Sequence, residues 1–160
     1  MDSSIAPLAA QFLVGTRMVT AALAELDAAV LAARPGPHSN PVIWIAGHLT
    51  QFRARLAALL GEPIEAPWEP LFSTGCRVAD STVYPPAGDV LARWNELAPT
   101  VAARLDRVTA AELDGPPSRR AASTDGTLRG AIALFAFHEA YHIGQLGYLR
   151  KWLGKGSLFD

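Results

Sequence analysis

Twelve prolines and thirteen glycines punctuate these 160 residues, and their placement limits what the chain can fold into. Proline removes a hydrogen bond from a helix interior and glycine weakens one, so long helices must fit between the clusters. Four stretches do, each with apolar residues at helical spacing. The first runs from about Ser4 to Ala33, with Leu8, Phe12, Val19, Leu23, Leu26 and Val30 in register, and Arg34-Pro35-Gly36-Pro37 ends it. The second opens at Asn40-Pro41, a capping residue followed by a proline suited to the first helical position. It carries Ile45, Leu49, Phe52, Leu56 and Leu59 and stops before Gly61. The third runs from about Gly88 to Val108, with Pro99 inside it as an expected kink. The fourth starts near Thr127 and carries Leu128, Ile132, Phe135, Ile143, Leu146, Leu149 and Leu153 before Gly154. No stretch alternates as a strand would. The expected fold is all-α: residues 1–160 as one four-helix-bundle domain.

Two connections stand out. Between Glu62 and Pro86 the prolines at 63, 67, 70, 85 and 86 exclude a regular helix, giving a long crossover between the second and third helices. A connection of that length inside a compact domain is usually functional. Trp68, Leu71 and Phe72 give it an apolar face that should pack on something. Leu113 to Asp125 reads as a second Pro/Gly-rich turn region.

Composition narrows the function. Half the residues are hydrophobic and 18% are charged, which excludes general disorder. Fourteen basic and fifteen acidic residues give a net charge of −1 without a basic tract, so no nucleic-acid partner is expected. The single cysteine, Cys76, cannot close an intrachain disulfide, which suits a reducing compartment. Met1 to Pro7 carries an acid where a secretory signal carries Lys or Arg. The apolar run Ala131–Phe137 is far shorter than the roughly 20 residues of a membrane span. The expectation is a cytoplasmic protein with no membrane partner.

His138 and His142, two of only four histidines, lie four residues apart in the last helix. Such a pair sits on one face, one turn apart, and both rings can reach one point. This is a two-ligand clamp for a divalent metal set in an apolar stripe. The segment also writes His-Glu-x-x-His, the zinc-peptidase signature. Peptidases take a third ligand from downstream, whereas beyond His142 there is no His, Glu or Cys, and Asp160 is the only acid. Gln145 and Tyr148 stand where the further glycine and histidine of one such family would be. The third ligand must then come from upstream, from His38 in a turn or His48 within a helix. A helix interior holds a ligand more rigidly, which favours His48.

Asn40-Pro41, Trp44 and Gly47-His48-Leu49 on one helix, paired with His138-Glu139-Ala140-Tyr141-His142-Ile143-Gly144-Gln145-Leu146 and Tyr148-Leu149 on the last, resemble the DinB-like superfamily. The likeness covers nearly the whole chain. It implies an up-down-down-up bundle, often a homodimer, with zinc or nickel held by His48, His138 and His142. It also implies a metal-dependent enzyme with a small-molecule substrate. Members with an assigned activity include S-transferases and isomerases that use a low-molecular-weight thiol, and many others are described only as metal-dependent hydrolases.

Three neutral imidazoles would leave the ion its double charge and an open position. Water there would have its pKa lowered towards about 7, and a thiol would be deprotonated outright. The ligand set permits hydrolysis and thiol transfer alike. Glu139 is the nearest candidate for a catalytic base, with an interhelical salt bridge as the alternative. Gln145 continues the histidine face and is placed to orient substrate, and Trp44 and Tyr141 are candidate pocket walls. Ala136, Ala140, Gly144 and Gly147 form a small-residue ridge that would let another helix approach, and Gly47 offers the same beside His48. Cys76, next to Arg77, reads as an inert loop thiol. A non-catalytic helical metal-binding module remains the rival reading.

Overall fold

The structure, a computed structural model, describes residues 1–24, 26–73 and 83–158. Among these it is all-helical. Four long helices, α1 (Ala6–Leu23), α3 (Val42–Leu59), α5 (Ala87–Arg107) and α7 (Leu128–Trp152), form the frame. Three short ones, α2 (Ala28–Ala32), α4 (Glu69–Phe72) and α6 (Ala110–Asp114), lie in the connections. Each of α1 and α3 packs against both α5 and α7.

Paired contacts fix the register. The amino terminus meets Asp106 at 3.3 Å, and further along α1 the Thr16 carbonyl accepts from Trp94 Nε1 at 3.3 Å. Asp2 meets Arg129 at 3.8 Å, and at the other end of α1 the Ala22 carbonyl accepts from Arg150 at 3.1 Å. The rings of His48 and His142 lie 4.7 Å apart, and those of Phe52 and Phe135 lie 5.8 Å apart.

The expected first helix is in fact two. Its chain leaves the helical path at Ala24, and Asp27 starts α2 by accepting the Val30 N–H at 2.8 Å. The apolar pattern could not reveal this break, because Leu23, Leu26 and Leu31 reach the same core from either side of it. α3 starts at Val42, with Pro41 as its cap residue and no side-chain cap from Asn40. It ends where Gly61, at φ 92°, lets the Glu62 N–H reach the Ala57 carbonyl at 2.9 Å. α7 closes the same way at Gly154. α5 continues unbroken through Pro99.

The other connections hold more helix than expected. α4 is a single turn within the crossover. α6 begins before the second turn region, held by Thr109 and Glu112, each of which caps the other's backbone. The apolar face expected of the crossover is packed: Phe72 is fully buried and stacks on Tyr84, while Trp68 and Leu71 cover the same core. Cys76 lies outside the described residues.

α3 is the central element, with 15 of its 18 residues buried. His48, Thr50, Gln51 and Arg53 on it are therefore enclosed by the bundle. Among the described residues α1 alone is long and apolar enough to cross a membrane by length and composition, but Phe12, Val19 and Leu23 pack into the bundle. The small-residue ridge on α7 is covered among the described residues at Ala136, which is buried, and at Gly147, where a Cβ would meet Leu158 at 3.7 Å, but not between them. Ala140 and Gly144 are exposed, and a Cβ on Gly144 would meet nothing. Gly47 does admit a close approach, from the Phe72 ring of α4 rather than from a long helix.

Candidate metal centre

α3 and α7 bring His48, His138 and His142 together in the bundle, with one nitrogen from each lying within 4.8 Å of the others. His48 and His142 are buried and His138 is half-buried. His38 is exposed in its turn and takes no part.

The hydrogen bonds decide which nitrogens converge. A carbonyl can only accept, so the bond of 2.5 Å between His48 Nδ1 and the Phe72 carbonyl places the ring proton on Nδ1. The Nε2 lone pair of neutral His48 is left free. His142 Nδ1 likewise donates to Gln145 Oε1 at 2.8 Å. The Gln145 amide in turn donates to the Tyr141 hydroxyl at 3.1 Å. Between His48 and His138 the two Nε2 atoms stand 3.1 Å apart. Bonds of about 2.0–2.1 Å at a tetrahedral ion place neighbouring nitrogens about 3.3 Å apart, so this spacing suits a shared ion. Tying back the far nitrogen is the support that metal-binding histidines need. His138 alone lacks it: its Nδ1 is buried with no partner among the described residues.

Ring stacking fixes the planes. Trp44 lies against His48 at 4.7 Å and an interplanar angle of 13°, and Phe52 against His138 at 3.8 Å and 18°. Burial removes the water that would solvate an imidazolium. It lowers His48 and His138 to pKa values of about 4, and it lowers His142 as well. All three rings are neutral at neutral pH, the state that binds a metal. The residues present thus fit a divalent ion with three nitrogen ligands.

These shifts set a pH dependence. In the unfolded chain the histidines take up protons near pH 6.5, and in the folded one His48 and His138 do so only near 4. The unfolded state therefore binds more protons between these values, and the metal-free protein loses stability as pH falls from about 6.5 to about 4. Urea midpoints measured across that window should show the decline, and His138→Gln should reduce it.

The other residues singled out in the sequence fall in different places. Glu139 is buried and takes Arg53 on both oxygens, Nε to Oε2 at 2.5 Å and Nη2 to Oε1 at 2.6 Å. Arg53 also donates to the Phe12 carbonyl at 2.7 Å and lies over the Trp94 ring at 4.4 Å. The carboxylate sits where a Cβ on Gly15 would clash with it. Burial pushes its pKa up, against the opposing pull of Arg53. This is the interhelical ion pair and not the placement of a free base. Trp44 is buried and stacks on His48. Gln145 supports His142, and Tyr141 is exposed at the mouth of a cavity of about 620 Å³. His138 and Phe52 form part of that cavity's wall.

The parts that Phe72, Phe52 and Arg53 play here were missed by sequence reasoning, which had Phe72 and Phe52 only as apolar packing. Phe52 had a signal, since it follows His48 by four residues as His48 follows Trp44. Nothing in the sequence says which crossover carbonyl meets His48.

Gly47 makes that carbonyl possible. A Cβ there would lie 2.3 Å from the Phe72 ring. Gly47→Ala must therefore displace Phe72 and, with it, the acceptor of His48. Metal affinity should drop by roughly 10–100-fold, the usual cost of losing such support. A competitive chelator titration would measure the drop, and an unchanged affinity would contradict the role assigned to Phe72.

No curated protein matches the sequence. Residues 11–146, most of the chain, match the family description of the DinB superfamily. With its helical frame and its three gathered histidines, the chain belongs to the DinB superfamily.

Proposed function

We propose that this protein is a divalent-metal-dependent enzyme acting on a small molecule, first as a thiol S-transferase and second as a hydrolase. The observation that carries the reading is the convergence of three neutral imidazoles beside an open cavity, with His138 in both. Zinc or nickel suits three nitrogen ligands. Such an ion, when bound, supplies a Lewis acid that lowers the pKa of a thiol or water it holds.

The chain's own part is positional. Phe72 and Gln145 keep two Nε2 lone pairs directed inward, Trp44 and Phe52 hold the ring planes, and the cavity brings substrate beside His138. The preference for a low-molecular-weight thiol rests on Glu139. The carboxylate adjacent to the ligands is committed to Arg53, and a thiol activated by a metal needs no separate base.

The register supports an up-down-down-up bundle. α1 meets α5 in opposite order and α7 in the same order, and α3 meets α7 in opposite order. A homodimer through α7 is part of this reading, because Tyr148 and Trp152 are exposed on that helix away from the cavity. The reading also places the protein in the cytoplasm.

The test is cobalt substitution followed by titration with cellular thiols. A new sulfur-to-cobalt absorption band, with one cobalt per chain, supports thiol transfer. Stoichiometric cobalt with no thiol response, but with ester or amide turnover, favours hydrolysis. Cobalt with neither response leaves the non-catalytic metal-binding module.

A further inference from the structure

The cavity beside His138 has a charge pattern that the metal reading leaves unused. Arg55, Arg119 and Arg120 all line it, and no acid does among the described residues. Arg55 is partly committed, to Glu69 at 2.6 Å. Arg119 and Arg120 are exposed, and neither pairs with an acid among the described residues. They are not on a loose loop. Directly before them the Ser118 hydroxyl donates to the Leu59 carbonyl at 3.1 Å, and directly after them Ala121 packs on the core. Two arginines adjacent in the chain, both lining the cavity and with the backbone fixed on either side, offer charged donors to a carboxylate or similar anion.

The remaining wall is apolar. Phe52, Phe135 and Phe137 face the same space of about 620 Å³, a volume that suits a small organic ligand. We propose that the cavity selects an anionic small molecule with an apolar body. Arg119 and Arg120 hold the anionic group, the phenylalanines hold the body, and the opposite end comes to His138. The proposal names the substrate class for the enzyme argued above and rests on that reading for the reacting end. The arginine contact itself requires no metal.

The test uses the full-length, chelator-treated protein at low salt, with 2-naphthoate and its neutral carboxamide as probes in calorimetric titration. Naphthoate should bind about tenfold more tightly or better, as expected for hydrogen bonds to a charged group. The Arg119→Gln/Arg120→Gln double variant should bring the two probes within about twofold by weakening naphthoate alone. Arg17→Gln, on the exposed side of α1, should change neither. Equal binding of both probes, binding of neither, or a preference that survives the double variant would overturn the proposal. Metal content measured on the same preparations keeps the two readings apart. An arginine-dependent preference in a protein that takes up no metal would sink the enzyme reading alone. Metal uptake without the preference would sink the anion site alone.

Discussion

His48→Ala and His138→Ala should both abolish stoichiometric zinc or nickel binding, with affinity down by more than about 100-fold. Loss of a supporting hydrogen bond alone costs 10–100-fold, and these variants remove a ligand. Their stabilities should differ. His48 is buried in the central helix and donates to Phe72, so its removal opens a cavity and orphans a buried carbonyl. The orphaned carbonyl alone costs about 1–3 kcal/mol. His138 is half-buried and its Nδ1 has no partner to lose among the described residues, so its variant should melt closer to wild type. Elemental analysis beside thermal melts separates the effects. Full metal content in His138→Ala would remove the three-histidine site, whatever the fate of the less stable variant.

Glu139→Gln should lower the melting temperature by on the order of 10 °C while leaving metal content unchanged. Breaking a buried pair from one side costs about 3–5 kcal/mol, because the other charge stays buried without its counter-charge. For a domain of this size each kcal/mol is worth about 2–4 °C. Arg53 would keep the Phe12 carbonyl and the Trp94 face but lose its counter-charge. Replacing both partners, as in Arg53→Met/Glu139→Leu, should recover much of the loss. Scanning calorimetry with metal analysis provides the check. A Glu139→Gln variant that melts like wild type yet loses turnover would instead make this carboxylate part of the chemistry.

The contrast between neighbouring residues shows what the sequence could convey. His138 and His142 were legible because the i,i+4 spacing on a helix fixes a shared face without knowledge of any neighbour, whereas His48 rested on its place in a helix and on the resemblance. Glu139 was not, since one residue turns about 100° around the axis and its surroundings depend on which helix lies there. Arg53, five positions after His48, meets Glu139 because α3 and α7 pack side by side, a relation no single-helix pattern contains. Gln145 was read as continuing the histidine face, and its amide oxygen accepts from His142 while its amide nitrogen donates to Tyr141. Helix ends at Gly61 and Gly154 could be read from the glycines. The break after Leu23 could not, because the apolar periodicity runs through it. α6 was readable in principle from Thr109 and Glu112, whose spacing is that of a capping box.

The bond from His48 to Phe72 gives the crossover a thermodynamic stake in the ion. A carbonyl on α4 that steadies a ligand raises metal affinity, and linkage requires that the metal hold α4 down by the same factor. Amide exchange and proteolysis at α4 should therefore slow on loading. Metal occupancy would then be legible in the protection of α4, none of whose side chains belongs to the three-histidine group.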